Sequence, residues 1–378
     1  MRVALVHDYL THFGGAERVL SALMALFPNA PVFTTVHDAE RLPLARLQRR
    51  RLRTSFLQRV PGAQRSHRYM PLGLMPLAVE QFPLADFDVV LSASHSFSKG
   101  IVVGPRTLHI SYCFTPTRYA WDDCHRYVRE FSRHSLWRRV APAALSYLRV
   151  WDYCAAQRVD TFMTLSHFVA RRIRKYYRRQ AVVVPPPVEV ERFRVSANHD
   201  GYYLIVSRLV PYKRIELAIE ACERLQRPLK IVGVGPEEAR LRRQARRWTS
   251  FLGFVPDADL PLVYRGARAL LFPQEEDFGI AVLEAAACGK PTVAFASGGA
   301  LETVVPGVTG LLFGEQTVDS LMAALTEFEL CSFESNVIRR QAEKFSRAVF
   351  RQRVAAIVQR RWEHFSARGA QALALVPL

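Results

Sequence analysis

Two carboxylates stand eight residues apart in the stretch "FPQEEDFGIAVLEAAACGKPTVA", at Glu276 and Glu284. Glu276 precedes an apolar helix pattern that begins near Phe278, and a carboxylate there favours the positive end of a helix. Glu284 falls inside that helix among Leu283 and Ala285, Ala286 and Ala287. A carboxylate on an apolar helix face needs a partner. Sugar hydroxyls pair well with carboxylates and would supply one. The alternative is an acid on the solvent face, and the sequence leaves both open.

Cations and glycines follow the same logic. "IVSRLVPYKR" places Arg208 and Lys213 between a strand and the next helix. Arginine as a planar fork and lysine as a point charge suit a diphosphate. The other reading is two solvated cations in a basic chain. "IVGVGP" puts Gly233 and Gly235 after another strand, in a turn that exposes backbone. In "HDYLTHFGGAERVL", Gly14 and Gly15 precede a helix from about residue 16, where free N–H groups favour an anion. A plain tight turn is the alternative there, and the motif is not GxGxxG.

These residues need strand ends to carry them. Strand-like runs occur at 3–6, 32–35, 87–91, 110–114, 161–165 and 182–184. A second series follows at 203–206, 229–232, 250–252, 269–272, 292–295 and 310–313. Helical patterns, such as 215–224 and 319–328, alternate with them. Such alternation predicts an α/β fold with parallel sheets and helices on both faces. Open parallel sheets bind ligands beyond the carboxyl ends of their strands. The Pro185-Pro186-Pro187 run can neither continue a helix nor donate to a sheet, so the chain is expected to divide there. The expected domains are 1–185 and 200–345, with a helical tail at 346–378.

Composition narrows the class. The 378 residues carry 52 Lys+Arg against 34 Asp+Glu, a net charge of +18. That balance suits phosphates, nucleic acid or an anionic membrane face, or reflects arginine-rich codon usage. No zinc-finger, RNP or helix-turn-helix signature supports nucleic acid. No run approaches the ~18–20 apolar residues of a membrane span, and "MRVALVHDYL" turns polar too soon for a signal peptide. The six cysteines show no metal-ligand spacing and read as reduced thiols.

Taken together, "HDYLTHFGGAERVL", "SYCFTPTRYAWDD", "VSRLVPYKRIELAIEA", "IVGVGP" and "EEDFGIAVLEAAACGKPTVAFASGGALETV" resemble glycosyltransferase family 4. These are retaining enzymes of GT-B architecture, and the resemblance is to bacterial GDP-mannose-dependent mannosyltransferases of lipopolysaccharide and exopolysaccharide assembly. It implies two facing Rossmann-like domains with a cleft that closes on substrate, and a C-terminal helix crossing back to the first domain. It implies that Glu276 touches donor-sugar hydroxyls and that the backbone amides of Phe278, Gly279 and Ile280 hold the same sugar. Glu284 would bind the ribose, with Gly233, Gly253 and Val255 around the nucleotide. Arg208 and Lys213, with Gly14 and Gly15, would hold the diphosphate, and Ser166 matches a serine common at its strand end. No cofactor or metal is implied, since charged groups stabilise the leaving diphosphate. UDP- or dTDP-linked donors, or a binding protein without activity, are the alternatives.

One position departs. Relatives often read "CHTP" where this chain has Cys113-Phe114-Thr115-Pro116. Phenylalanine cannot make histidine's hydrogen bonds, so either another group serves, with His95 and His109 the nearest in sequence, or the role is dispensable here, or activity is reduced or lost. The other expectation is an acceptor platform of Tyr112, Phe114, Tyr119 and Trp121. The acceptor is expected to be a lipid-linked or oligosaccharide hydroxyl. The arginine-rich segment 41–76 is expected to meet anionic lipid on the cytoplasmic face of the inner membrane, the solvated helix being the alternative.

Overall fold

In a computed structural model, the residues described are 1–42, 52–63, 74–122, 124 and 135–374. They form two all-parallel sheets. The first comprises β1 (Val3–His7), β2 (Val32–Thr34), β3 (Leu52–Thr54), β4 (Val89–Ser94), β5 (Leu108–Cys113), β6 (Thr161–Thr164) and β7 (Ala181–Val183). Its seven strands run in the order β3-β2-β1-β4-β5-β6-β7. The second comprises β8 (Tyr202–Val206), β9 (Leu229–Val232), β10 (Thr249–Gly253), β11 (Ala267–Phe272), β12 (Thr292–Phe295) and β13 (Gly310–Phe313). Its six strands run β10-β9-β8-β11-β12-β13.

Both orders turn back at one place, between β1 and β4 in the first sheet and between β8 and β11 in the second. At such a reversal the flanking loops diverge and leave a crevice at the strands' carboxyl ends. The central strands are buried on both faces, and for that reason they read as continuous apolar runs such as "YYLIV" in β8. β3 escaped the sequence reading because it is short, exposed and arginine-bearing, which suits an edge strand that must not recruit another chain.

The helices that matter to the site are α1 (Gly15–Leu26), α2 (Ser135–Gln157), α3 (His167–Tyr177), α4 (Ile215–Arg224), α5 (Leu260–Gly266), α6 (Ile280–Ala287), α7 (Ser335–Glu343) and α8 (Arg347–Ala374). α4 is amphipathic and buries Ile215, Leu217, Ala218, Ile219, Ala221 and Cys222 against β8, β9 and β11. Each large aliphatic side chain buried in this way stabilises by about 1.5–3 kcal/mol. α6 is apolar on nearly every side and buried accordingly. Ser166 caps α3, its hydroxyl accepting the Val169 N–H at 3.1 Å.

Contacts group residues Met1–Pro185 with Phe350–Leu378, and Pro186–Val349 as a second unit. Within the first group the Phe350 ring lies 5.9 Å from that of Tyr112. The C-terminal helix therefore returns to the first sheet. The helical tail is broken at residues 344–346, where Val188 N–H bonds Phe345 O at 2.8 Å. Among the described residues no helix is long and apolar enough to cross a membrane. Most of segment 41–76 lies outside the described residues.

Candidate active site

The reversal between β8 and β11 gathers the charged residues of the second unit. After β8 the chain makes a short 3₁₀ turn at Pro211–Lys213 and then starts α4. Arg208 is exposed on this loop. Its guanidinium forms no ion pair among the described residues. Lys213 is paired through Nζ with Glu276 Oε1, which comes from the loop after β11. The side chains of Lys213 and Glu276 are 14% and 17% exposed. The lysine expected to hold phosphate and the acid expected to hold sugar thus hold each other.

The Glu276 loop is positioned by glycines. Gly299 donates its N–H to Glu276 O at 2.8 Å. A Cβ on Gly299 would lie 2.2 Å from Phe278 Cα, and one on Gly298 2.3 Å from Glu276 O. The loop after β12 therefore packs backbone to backbone against residues 276–278. The sequence signal for these glycines is "SGG" directly after a strand, and it does not by itself assign them a role. Gly279 has φ +93 and starts α6. The N–H groups of Phe278, Gly279 and Ile280 have no backbone acceptor among the described residues. They are the unspent donors of a helix start, and they point to an acceptor-rich ligand.

Glu284 lies one turn further along α6 and is 7% exposed. The Tyr264 hydroxyl, on α5, donates to Glu284 Oε2 at 2.8 Å. This rules out the solvent-face alternative. Gln274 was missed altogether. It is 2% exposed, and its Oε1 has no hydrogen-bond partner among the described residues.

The turn after β9 behaves differently from expectation. Gly233 has φ +130, and a Cβ there would lie 1.8 Å from Ser207 O. Its N–H is already donated to Gly253 O at 2.7 Å. A Cβ on Gly235 would lie 2.2 Å from Leu209 O. These glycines let the β9 turn press on the Arg208 loop, with Leu209 N–H bonding Val234 O at 3.1 Å. They support the loop; they do not expose backbone to a ligand. Gly253 has φ +67 and open space beside it, while Val255 is half-buried and Phe254 is 75% exposed.

In the first unit the reversal between β1 and β4 holds Asp8 and His95. Asp8 is fully buried and accepts backbone N–H groups from His95, Ser96 and Phe97 at 2.8 Å each, and from Ser98. His95 Nδ1 lies 3.0 Å from Asp8 Oδ2, with the His95 side chain 24% exposed. Burial opposes the charge on both groups. The His95 charge and these N–H donors outweigh it and keep Asp8 well below the usual carboxylate range. Tyr9 and Asp8 likewise overcome burial and raise His95 to about 10. At neutral pH His95 is an imidazolium, able to donate but not to act as a base.

Other expectations on this side need correction. His109 is fully buried within β5, its Nε2 2.8 Å from Ser92 Oγ. Burial, helped by the Arg158 charge, lowers it to about 3. It is a neutral core histidine and cannot replace a site histidine. Tyr112 is also core, its hydroxyl donating to Val184 O at 2.7 Å. Trp121 donates Nε1–H to Asp152 at 2.8 Å and stacks on Tyr176. Tyr119 packs against the hydrophobic core. Tyr112 and Phe114 are thus covered, while Tyr119 and Trp121 are half-buried. Phe114 is 8% exposed, between Tyr112 at 5.3 Å and His95 at 6.5 Å. At Gly14 the expected free N–H is taken by Glu17 Oε2 at 2.8 Å. Glu17 is itself buried; His7 and His12 outweigh that burial and hold it at about 2.

Residues 188–345 match the family model described as glycosyl transferases group 1. The matched residues lie wholly within the second unit. Its charged residues at the β8/β11 reversal lie within the matched span. A GDP-mannose-dependent α-(1-6)-phosphatidylinositol monomannoside mannosyltransferase of Mycolicibacterium smegmatis is 33% identical over 172 residues, covering 38% of this chain and 45% of that protein. A glycogen synthase of Pseudomonas paraeruginosa is 33% identical over 145 residues, covering 36% of this chain and 28% of that protein. The match thus spans less than half the length of these curated relatives. The Anabaena protein HepE, solved in complex with UDP, superposes with a TM-score of 0.72 at 19% identity, covering 95% of this chain and all of that one. This likeness extends the GT-B fold over both units, and the matched residues 188–345 fall in its second half.

Proposed function

We propose that this protein is a retaining glycosyltransferase that moves a sugar from a nucleotide diphosphate sugar to an acceptor hydroxyl. The observation that carries the reading is the β8/β11 reversal within the matched residues. There the loops after β8 and β11 carry an exposed arginine, a lysine paired with a carboxylate, and three unspent helix-start N–H groups. Arg208, Lys213 and Glu276, with Phe278, Gly279 and Ile280, are the residues proposed to act. Glu284 would take the ribose hydroxyls, next to Tyr264.

In the reaction the bond between the sugar C1 and the β-phosphate oxygen breaks, and a bond from C1 to the acceptor oxygen forms on the same face. The acceptor proton passes to the departing phosphate. Negative charge grows on the diphosphate as the bond breaks. Arg208 and Lys213 stabilise that charge, which is worth most when the donors are already in place. Glu276 orients the sugar. In the first unit, His95 is proposed to donate a hydrogen bond to the acceptor side, the part left open by Phe114.

Mannose from GDP-mannose is the donor we propose, supported by the mannosyltransferase likeness, with a UDP-linked sugar as the alternative. The acceptor proposed is a lipid-linked surface polysaccharide met at the cytoplasmic face of the inner membrane. The test is transfer from GDP-mannose and UDP-glucose to lipid extracts and oligosaccharides. Arg208→Ala and Lys213→Ala should each lower turnover by ~10²–10³ with the fold intact, the usual effect of losing one transition-state donor. Wild-type turnover in both variants would remove the assignment.

A further inference from the structure

The ion pair between Lys213 and Glu276 has a consequence for what the site prefers to bind. We propose that Glu276 occupies Lys213 in the ligand-free protein as an internal stand-in for phosphate. The site then discriminates against a free nucleoside diphosphate and in favour of one that still carries its sugar. This rests on the donor-site reading above.

The two groups come from the loops after β8 and β11, which are hydrogen-bonded neighbours in the sheet. Each group is placed by the backbone of its loop. Lys213 ends a 3₁₀ turn beneath the start of α4, its ammonium 5.1 Å from the Tyr212 ring centroid. The Glu276 backbone is clamped by Gly299 N–H, and the neighbouring Glu275 carboxylate is held by the Ser297 hydroxyl. Arg208 is exposed and forms no ion pair among the described residues. A diphosphate entering the loop therefore meets Arg208 first and must draw Lys213 from Glu276.

Two cases follow. A free nucleoside diphosphate takes Lys213 and leaves a largely shielded Glu276 carboxylate without its cation, next to an added anion. That is costly, because an unpaired carboxylate out of water is the unfavourable half of any broken pair. A nucleotide sugar brings hydroxyl donors to the same carboxylate, so each side of the broken pair gains a replacement. Sugar and diphosphate are then bound cooperatively, through one displaced contact. Once the sugar has been transferred, the pair re-forms and favours release of the diphosphate product.

The experiment is calorimetric titration of GDP and UDP into the full chain. The wild type is compared with Glu276→Gln, Glu276→Ala, Lys213→Ala and the double variant Lys213→Ala/Glu276→Gln. Thermal unfolding would confirm that each is folded. Glu276→Gln and Glu276→Ala should each bind the free diphosphate about two- to fivefold more tightly than wild type, the range of a partly exposed ion pair. Lys213→Ala should cost more affinity in the Glu276→Gln background than in the wild type. Unchanged or weaker diphosphate binding in both Glu276 variants, with Lys213→Ala still harmful, overturns the stand-in and leaves the donor site standing. Lys213→Ala without effect in either background, or no binding of either nucleotide by any form, overturns the donor-site reading and this inference with it.

Discussion

At the residue scale, Asp8 and Glu284 show the same physics with opposite partners. Glu284 is a buried acid that receives a tyrosine hydroxyl. Asp8 is a buried acid that receives four backbone N–H groups and an imidazolium. Removing the Asp8 charge leaves His95 without its counterion. Asp8→Asn should therefore lose about 3–5 kcal/mol of stability, the cost of breaking a buried pair. Urea unfolding at neutral pH measures it, and a loss below about 1 kcal/mol would refute the pairing. The pH dependence has a definite sign. His95 is raised from 6.5 to about 10, so its stabilising share is complete below pH 6.5 and fades as pH rises through 10. Asp8 is depressed, so its share is present above the ordinary carboxylate range and is lost only in strong acid. His95→Gln should flatten the alkaline limb of stability between those values, as read by urea midpoints from pH 6 to pH 10.

At the element scale, the site depends on how closely loops from neighbouring strands approach. Gly299 has no room for a Cβ, whereas Gly307, at φ +73, has nothing within 4 Å of one. Gly299→Ala must push the residue 276–278 backbone away from its place. It should weaken nucleotide-sugar binding by tenfold or more, since ~1.4 kcal/mol of misplacement is already a factor of ten. Gly307→Ala faces only the backbone strain of a positive φ, on the order of 1–2 kcal/mol, and should leave binding untouched. Equal affinities in the two variants, measured by calorimetry, would show that the glycine contact does not position Glu276. These glycine roles were not legible from sequence. A glycine after a strand reads alike whether it faces a ligand or a neighbouring backbone, and only the approach of Ser207 to Gly233 decides which. The helix start near Phe278, by contrast, was legible within two residues, because the apolar run of α6 follows a glycine.

For the whole molecule, the net charge of +18 bears on partners, not on fold. Binding to anionic vesicles should exceed binding to neutral ones. It should fall as salt is raised, because exposed charges are screened beyond ~10 Å at 0.1 M. Equal sedimentation with both vesicle types would count against a membrane role. Half of the segment from Arg41 to Arg68 lies outside the described residues, so charge carries this expectation.

Alternation of apolar strands and amphipathic helices was enough, from sequence, to determine two parallel-sheet units and the strand ends that carry Arg208, Lys213, Glu276 and Glu284. That pattern is local, since burial on both faces of a parallel strand leaves its mark in consecutive residues. What faces what was decided by the tertiary structure, because strand order is not written in any local stretch. β8 lies beside β11, not β10, and so Lys213 meets Glu276. β1 lies beside β4, and so Asp8, seemingly one polar residue after a strand, becomes the counterion of His95. His109 and Tyr112 alternate along β5 like any strand residues, and only the sheets and helices packed over them turned both into core.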